Sequence, residues 1–200
     1  MGIGKQAKLL TRTQIDTVLG FLRSKRLGLR NEVIFLLSVR AGLRAKEIAH
    51  LKWAMVLDPD GEVGQLIQLP NQATKGSSGR MIPVNKTLRA KLAELFDQER
   101  ARRGFEPTSA FVITTACSQR TSAQVIVNMF QRWYRAAGLI GCSSHSGRRT
   151  FITNAARKIS TVGGSIRDVQ QLAGHSSLQT TQRYIDGDGD AQRRVVDLLP

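Results

Sequence analysis

Residues Val33 to Val39 read VIFLLSV, an almost unbroken apolar run, and it limits what this chain can fold into more than any other feature. A helix that is hydrophobic nearly all round must be covered on every side by other elements. The run is too short to cross a bilayer, so it predicts a buried central helix inside a globular domain.

The rest of the chain offers faces to cover it. Thr11 to Arg23 opens on a capping-type threonine and sets Ile15, Val18, Leu19 and Leu22 at helical spacing. Asn85 to Arg103 does the same with Leu88, Leu92, Leu95 and Phe96, and Ser122 to Ala136 with Ile126, Met129, Phe130 and Trp133. Gly42 ends the central run. Arg44 to Leu51 then restarts as a short helix with Arg44 and Glu47 on one face. Between Val56 and Val84 the character changes: Asp58, Pro59, Asp60 and Gly61 mark a turn, and Gln65 to Leu69 alternates as a strand does. A second strand, Arg80 to Val84, follows the loop Lys75 to Gly79, so a hairpin carries Lys75. Gly147 to Ala156, Ile166 to Ala173 and Gln179 to Tyr184 read as helical, separated by Gly163, Gly164 and Gly174. The expected fold is mostly α with a small antiparallel β-sheet (α+β), as a single domain over residues 1–200. Residues 186–200 alternate Asp and Gly before the apolar VVDLLP, which predicts a flexible tail ending in a docking segment.

Charge then narrows the partner. Lys and Arg number 30 against 15 Asp and Glu, a formal charge of +15 over 200 residues, which favours a polyanion and above all nucleic acid. The basic residues are scattered in ones and twos, as on a folded surface rather than a disordered arm. The N-terminus lacks the apolar core of a signal peptide and no stretch suits a membrane helix, so a cytoplasmic, nucleoid-associated protein with no membrane partner is expected. Cys117 and Cys142 stand apart, as free thiols in a reducing compartment would, and their spacing to His145 and His175 matches no zinc pattern. Neither GxxxxGK[ST] nor HExxH occurs, so ATPase and metalloprotease readings have no support.

The last quarter holds His145, Arg148, His175 and Tyr184 in the segments SSHSGRRTF and LAGHSSLQTTQRYI. Cutting a nucleic-acid strand without a metal requires a nucleophile at phosphorus, stabilisation of two non-bridging oxygens, and a proton for the leaving oxygen. Tyr184 is the candidate nucleophile. Its phenol, ordinarily titrating near about 10, needs nearby cations to react at neutral pH. Arginine suits the second task because its planar fork grips two oxygens and keeps its charge, and Arg44 and Arg148 are the candidates. A lysine on a hairpin suits the third, which points to Lys75, with the neighbouring Arg80 as an alternative. His145 and His175 can hydrogen-bond the phosphate or relay the proton of the nucleophile. His50 reads as structural.

AGLRAKEIAHLKW (Ala41 to Trp53), the Thr-Lys of ATKGSSGRMIPV (Ala73 to Val84), HSGRRTF (His145 to Phe151) and AGHSSLQTTQRYI (Ala173 to Ile185) resemble, in order, the signature boxes of the tyrosine recombinase or phage integrase family. The resemblance spans most of the chain and implies a site-specific recombinase. In it Arg44 and Arg148 would clamp the scissile phosphate and Lys75 would protonate the 5′-hydroxyl leaving group. His145 would be general base or phosphate contact, and His175 would bond a non-bridging oxygen. Tyr184 would form a 3′-phosphotyrosyl bond, and Glu47 would orient Arg44 or a neighbouring imidazole. That intermediate conserves the phosphodiester, so neither metal, ATP nor cofactor is implied. The implied partners are double-stranded DNA, further copies of the chain as a tetramer on DNA, and accessory DNA-bending or directionality proteins.

Two features depart from the family pattern. Arg149 stands where the family often has histidine, and only 43 residues precede Arg44, too few for the usual N-terminal core-binding domain. The catalytic domain alone is expected, similar in size to the short fimbrial-type invertases of the family. Type IB topoisomerase-like relaxation shares the chemistry, and a non-cutting DNA-binding remnant of a mobile element shares the fold; both are alternatives to recombination.

Overall fold

A computed structural model of the chain describes residues 7–70, 79–115, 118–184 and 196–197. It is mostly helical, with helices α1 (Arg12–Arg23), α2 (Gly28–Ala41), α3 (Ala45–His50), α4 (Lys86–Arg100), α5 (Ala123–Ala136), α6 (Ser146–Lys158), α7 (Ile166–Ala173) and α8 (Leu178–Gln182). Strands β1 (Leu66–Leu69) and β2 (Arg80–Pro83) pair antiparallel, with Leu66 opposite Pro83 and Leu69 opposite Arg80. The chain divides into two compact units, residues 1–151 and 152–200, and the division falls within α6.

In the first unit α2 is the central helix that VIFLLSV predicts, extended at both ends. Val33, Ile34, Phe35, Leu36 and Leu37 are all buried, and α1 and α4 pack against it. Its one carboxylate, Glu32, is also buried and is compensated by Arg23 of α1 and Lys91 of α4. Phe35 meets Phe130 and Tyr134 of α5 at ring-centroid separations of 6.3 Å, within the range where aromatic pairs add stability beyond their buried area. The start of α1 is fixed by a reciprocal cap: Thr11 Oγ1 accepts from the Gln14 amide, and Gln14 Oε1 accepts from the Thr11 amide.

The end of α2 sets up everything that follows. Gly42 adopts the left-handed conformation (φ 65°), and its amide closes onto the Leu37 and Ser38 carbonyls. A Cβ at Gly42 would collide with the ring of Phe151 on α6. Gly147 of α6 is equally confined, because a Cβ there would strike the Ser38 hydroxyl of α2. Glycines at both points let the first turns of α6, residues 146–151, approach the C-terminal part of α2 closely. Gly42→Ala therefore combines a strained φ with a clash against an aromatic ring, and should lower unfolding stability by about 2 kcal/mol or more. Denaturant titration of the purified variant checks this; an unchanged midpoint would show that Phe151 yields freely.

The second unit contains the C-terminal part of α6, a 3-10 turn over Ile159–Val162 ending at Gly163 (φ 76°), and α7 and α8, which pack together. Ser165 and Asp168 cap the start of α7, and left-handed Gly174 ends it. Among the described residues no helix is long and apolar enough to cross a membrane.

Candidate active site

Arg44 lies at the N-cap of α3, in extended conformation (φ −77°, ψ 156°), rather than inside the first turn. The left-handed Gly42 and buried Leu43 turn the chain so sharply that α3 begins one residue later than periodicity suggests. From that position the Arg44 amide donates to Glu47 Oε2 at 2.8 Å and its Nη1 donates to Glu47 Oε1 at 2.8 Å. Glu47 thus holds both the backbone and the guanidinium of Arg44.

Glu47 is itself buried, with 2% of its side chain exposed, whereas the Arg44 side chain remains 30% exposed. A second arginine completes the cluster. Arg80, at the start of β2, donates from Nη1 to Oε1 at 2.9 Å and from Nη2 to Oε2 at 3.0 Å, a fork-to-fork pair. Burial pushes the Glu47 carboxyl up, but the hydrogen bond and charge of Arg80, followed by those of Arg44, outweigh burial and hold it below the ordinary 4.5. A carboxylate depressed in the folded state contributes stability that is present above its ordinary value and lost as pH falls through its folded value. The stability gap between wild type and Glu47→Gln should accordingly be wider near about pH 7 than near about pH 3. Thermal unfolding at the two pH values measures it; a gap independent of pH would mean that the charge of Glu47 contributes nothing.

Arg148 lies on α6, is only 4% exposed, and donates from Nη1 to the Gly42 carbonyl at 2.5 Å. Gly42 stands two residues before Arg44, so one backbone carbonyl links the helix bearing Arg148 to the turn bearing Arg44. His145 immediately precedes α6 and is exposed, with its amide donating to Ser143 Oγ at 3.3 Å. Arg149, the position that departs from the family pattern, points elsewhere: its Nη1 donates to the Ala7 carbonyl at 2.5 Å, and the Thr150 hydroxyl accepts from the Leu10 amide. These two residues fasten the N-terminal segment to α6.

In the second unit, His175 and Tyr184 come together. Their rings stack with centroids 5.3 Å apart and planes 23° from parallel. His175 Nδ1 lies 3.0 Å from the hydroxyl of buried Thr181, and the Gln170 side-chain amide donates to the His175 carbonyl at 3.0 Å. Tyr184 sits just past the end of α8. Its amide donates to the Thr181 carbonyl at 3.0 Å, and its carbonyl accepts from Thr153 Oγ1 at 3.2 Å. Both backbone groups are engaged, which fixes the base of the phenol side chain.

Lys75 and the tail over 186–200 lie outside the described residues, apart from Val196 and Asp197 of the tail. Cys117 also lies outside them. Arg80, the alternative to Lys75 as proton donor, has 5% of its side chain exposed and is turned onto Glu47. His50 is exposed, with Nδ1 2.8 Å from the Lys46 carbonyl one helical turn back, in keeping with a structural reading. Sequence reasoning missed Thr181, Thr153 and Gln170 as supports of the histidine and tyrosine, and it assigned Arg80 no link to Glu47. None of these carries a local signature, since each acts through a contact that periodicity does not encode.

The phage integrase family model matches residues 8–189. The chain belongs to this family. Over 160 residues it is 31% identical to the tyrosine recombinase XerA of Pyrococcus horikoshii, an alignment that covers 78% of this chain and 50% of that protein. The integrase fold is equally plain in solved structures. The crystal structure of XerA recombinase matches with a TM-score of 0.74 at 21% identity, covering 94% of this chain and 63% of that one. XerH site-specific recombinase bound to a palindromic difH substrate, a post-cleavage complex, matches with a TM-score of 0.74 at 18% identity, covering 95% and 52%. The chain thus spans about half the length of XerA from Pyrococcus horikoshii.

Proposed function

We propose that this chain is the catalytic domain of a site-specific recombinase that breaks and rejoins double-stranded DNA through Tyr184. The observation that carries the reading is the pair of constrained groups in the second unit: a tyrosine whose backbone is held on both sides, stacked on a histidine that is itself fixed by Thr181. In the proposed step, the Tyr184 oxygen attacks phosphorus, a tyrosyl–phosphate bond forms, and the bond from phosphorus to the 5′ oxygen breaks. His145 takes the phenol proton, and Lys75 delivers one to the departing 5′-hydroxyl. Arg44 and Arg148 neutralise the non-bridging oxygens as charge builds, and His175 donates a hydrogen bond to one of them. The phosphodiester is exchanged for another phosphate ester, so rejoining to a new 5′-hydroxyl reverses the same step and requires no ATP or cofactor.

Recombination exchanges four strands and each Tyr184 serves one, which makes a tetramer on DNA the working assembly, with accessory DNA-bending or directionality proteins as further partners. The formal charge of +15 supports a polyanionic partner. The test uses nicked suicide substrates built from DNA flanking the gene, incubated with the protein in chelator. A denaturation-resistant protein–DNA adduct, blocked at the 3′ end of the cleaved strand and free at the 5′ end, is the expected product. DNA bound at the same concentration without any adduct would replace this reading with that of a non-cutting DNA-binding protein. Release of supercoils by an isolated monomer would replace it with topoisomerase-like relaxation.

A further inference from the structure

We infer that Arg80 is a positioning residue for the phosphate clamp, acting on Arg44 through the shared carboxylate of Glu47. The inference rests on the proposed role of Arg44 and concerns how that arginine keeps its charge available.

Each oxygen of Glu47 accepts two hydrogen bonds, one from each arginine: Oε1 from Arg44 Nη1 and Arg80 Nη1, Oε2 from the Arg44 amide and Arg80 Nη2. The exposures of the two arginines differ sharply. The Arg80 side chain is 5% exposed and that of Arg44 30%. Arg80 is therefore the interior counter-charge of Glu47, while Arg44 keeps an outward face. With two guanidinium groups on one carboxylate the cluster carries one net positive charge, and its exposed end is Arg44.

Without Arg80 the balance changes. Glu47 and Arg44 alone would form a neutral pair, and an arriving phosphate would compete with a buried carboxylate for the same guanidinium. Burial sharpens that competition, because in a poorly solvated setting Glu47 would hold its last cation more tightly. Arg80 satisfies the carboxylate in advance, so Arg44 is oriented by Glu47 without being neutralised by it. Lysine cannot reproduce this arrangement, since it lacks the two parallel donors that match both carboxylate oxygens.

The test compares wild type, Arg80→Lys, Arg80→Met and the double variant Arg80→Met with Glu47→Gln on a suicide substrate, measuring single-turnover adduct formation and DNA affinity separately. Adduct formation by Arg80→Met should fall about 10- to 100-fold, the range typical of lost supporting contacts, with DNA affinity changed much less. Adding Glu47→Gln removes the competing charge and should restore adduct formation about 5-fold or more relative to Arg80→Met alone. A merely structural Arg80 would show its loss and its rescue in thermal stability, so all four proteins are compared well below their unfolding temperatures, where a structural role leaves the adduct rate unchanged. Arg80→Lys keeps the charge and should fall between wild type and Arg80→Met, which keeps the test decisive if Arg80→Met does not fold. Adduct formation within about 2-fold of wild type in Arg80→Lys and Arg80→Met, or a double variant no faster than Arg80→Met, would overturn the inference while leaving the function intact. A wild-type protein that forms no adduct would instead overturn the function, and the inference with it.

Discussion

Tyr184→Phe will bind DNA as wild type does and form no covalent adduct. The substitution removes one oxygen and retains the ring, so the stacking on His175 at 5.3 Å and both backbone hydrogen bonds of residue 184 persist. Among the described residues no hydrogen bond to the phenol oxygen is seen, and the proposed phosphate-binding arginines are unchanged. Loss of a covalent nucleophile removes the reaction path itself, so the expected fall in adduct formation is roughly 10³-fold or more. Gel analysis after denaturation measures it, with affinity followed in parallel. Residual adduct at even a tenth of the wild-type rate would assign the nucleophile to another residue.

Arg148→Lys should be nearly as damaging while leaving the fold in place. Truncation to alanine would be a poorer test, because Arg148 is 4% exposed and donates to the Gly42 carbonyl, so removing it would leave a buried acceptor unpaired. Lysine keeps a positive charge and hydrogen-bond donors for that carbonyl. What it loses is the planar fork, which would let one side chain serve both a backbone carbonyl and a phosphate oxygen. If Arg148 stabilises charge that builds in the transition state, adduct formation should fall about 10²- to 10³-fold, with DNA affinity changed only slightly. A lysine variant within about 3-fold of wild type would show that any cation suffices and that no fork geometry is involved. Comparing thermal unfolding of the two proteins separates a lost clamp from a lost fold.

The sequence was most informative where chemistry is local. The capping Thr11, the apolar stripe of α5 and the burial of Val33 to Val39 in α2 follow from local pattern alone, because a helix writes its period into its residues. The pairing of Arg44 with Glu47 was likewise legible at three residues' separation. Legibility ended where partners are distant. Arg148 meets a carbonyl 106 positions away, Arg80 meets Glu47 across 33, and Arg149 reaches Ala7 across 142. Such contacts depend on how α2, α6 and the sheet pack, and no window of sequence records them. The supports of His175 and Tyr184 were hidden for a different reason. Thr181 and Thr153 look like ordinary helix polar residues until their hydroxyls are seen to turn inward.

The resemblance to the recombinase boxes implies the roles, and the structure shows how the residues around them are held. Gly42 is the clearest case. It ends α2, makes room for Phe151, offers its carbonyl to Arg148 and aims the chain so that Arg44 caps α3. One residue without a side chain therefore governs the placement of two arginines distant in sequence.

In the proposed mechanism Tyr184 becomes covalently joined to DNA. Digesting the trapped adduct with protease and nuclease and sequencing the modified peptide by mass spectrometry tests it most directly. A nucleotide phosphate on the peptide containing Tyr184, attached at the tyrosine oxygen, is the expected result. The same mass on a different peptide, or an adduct bearing a 5′-phosphate linkage, would contradict it.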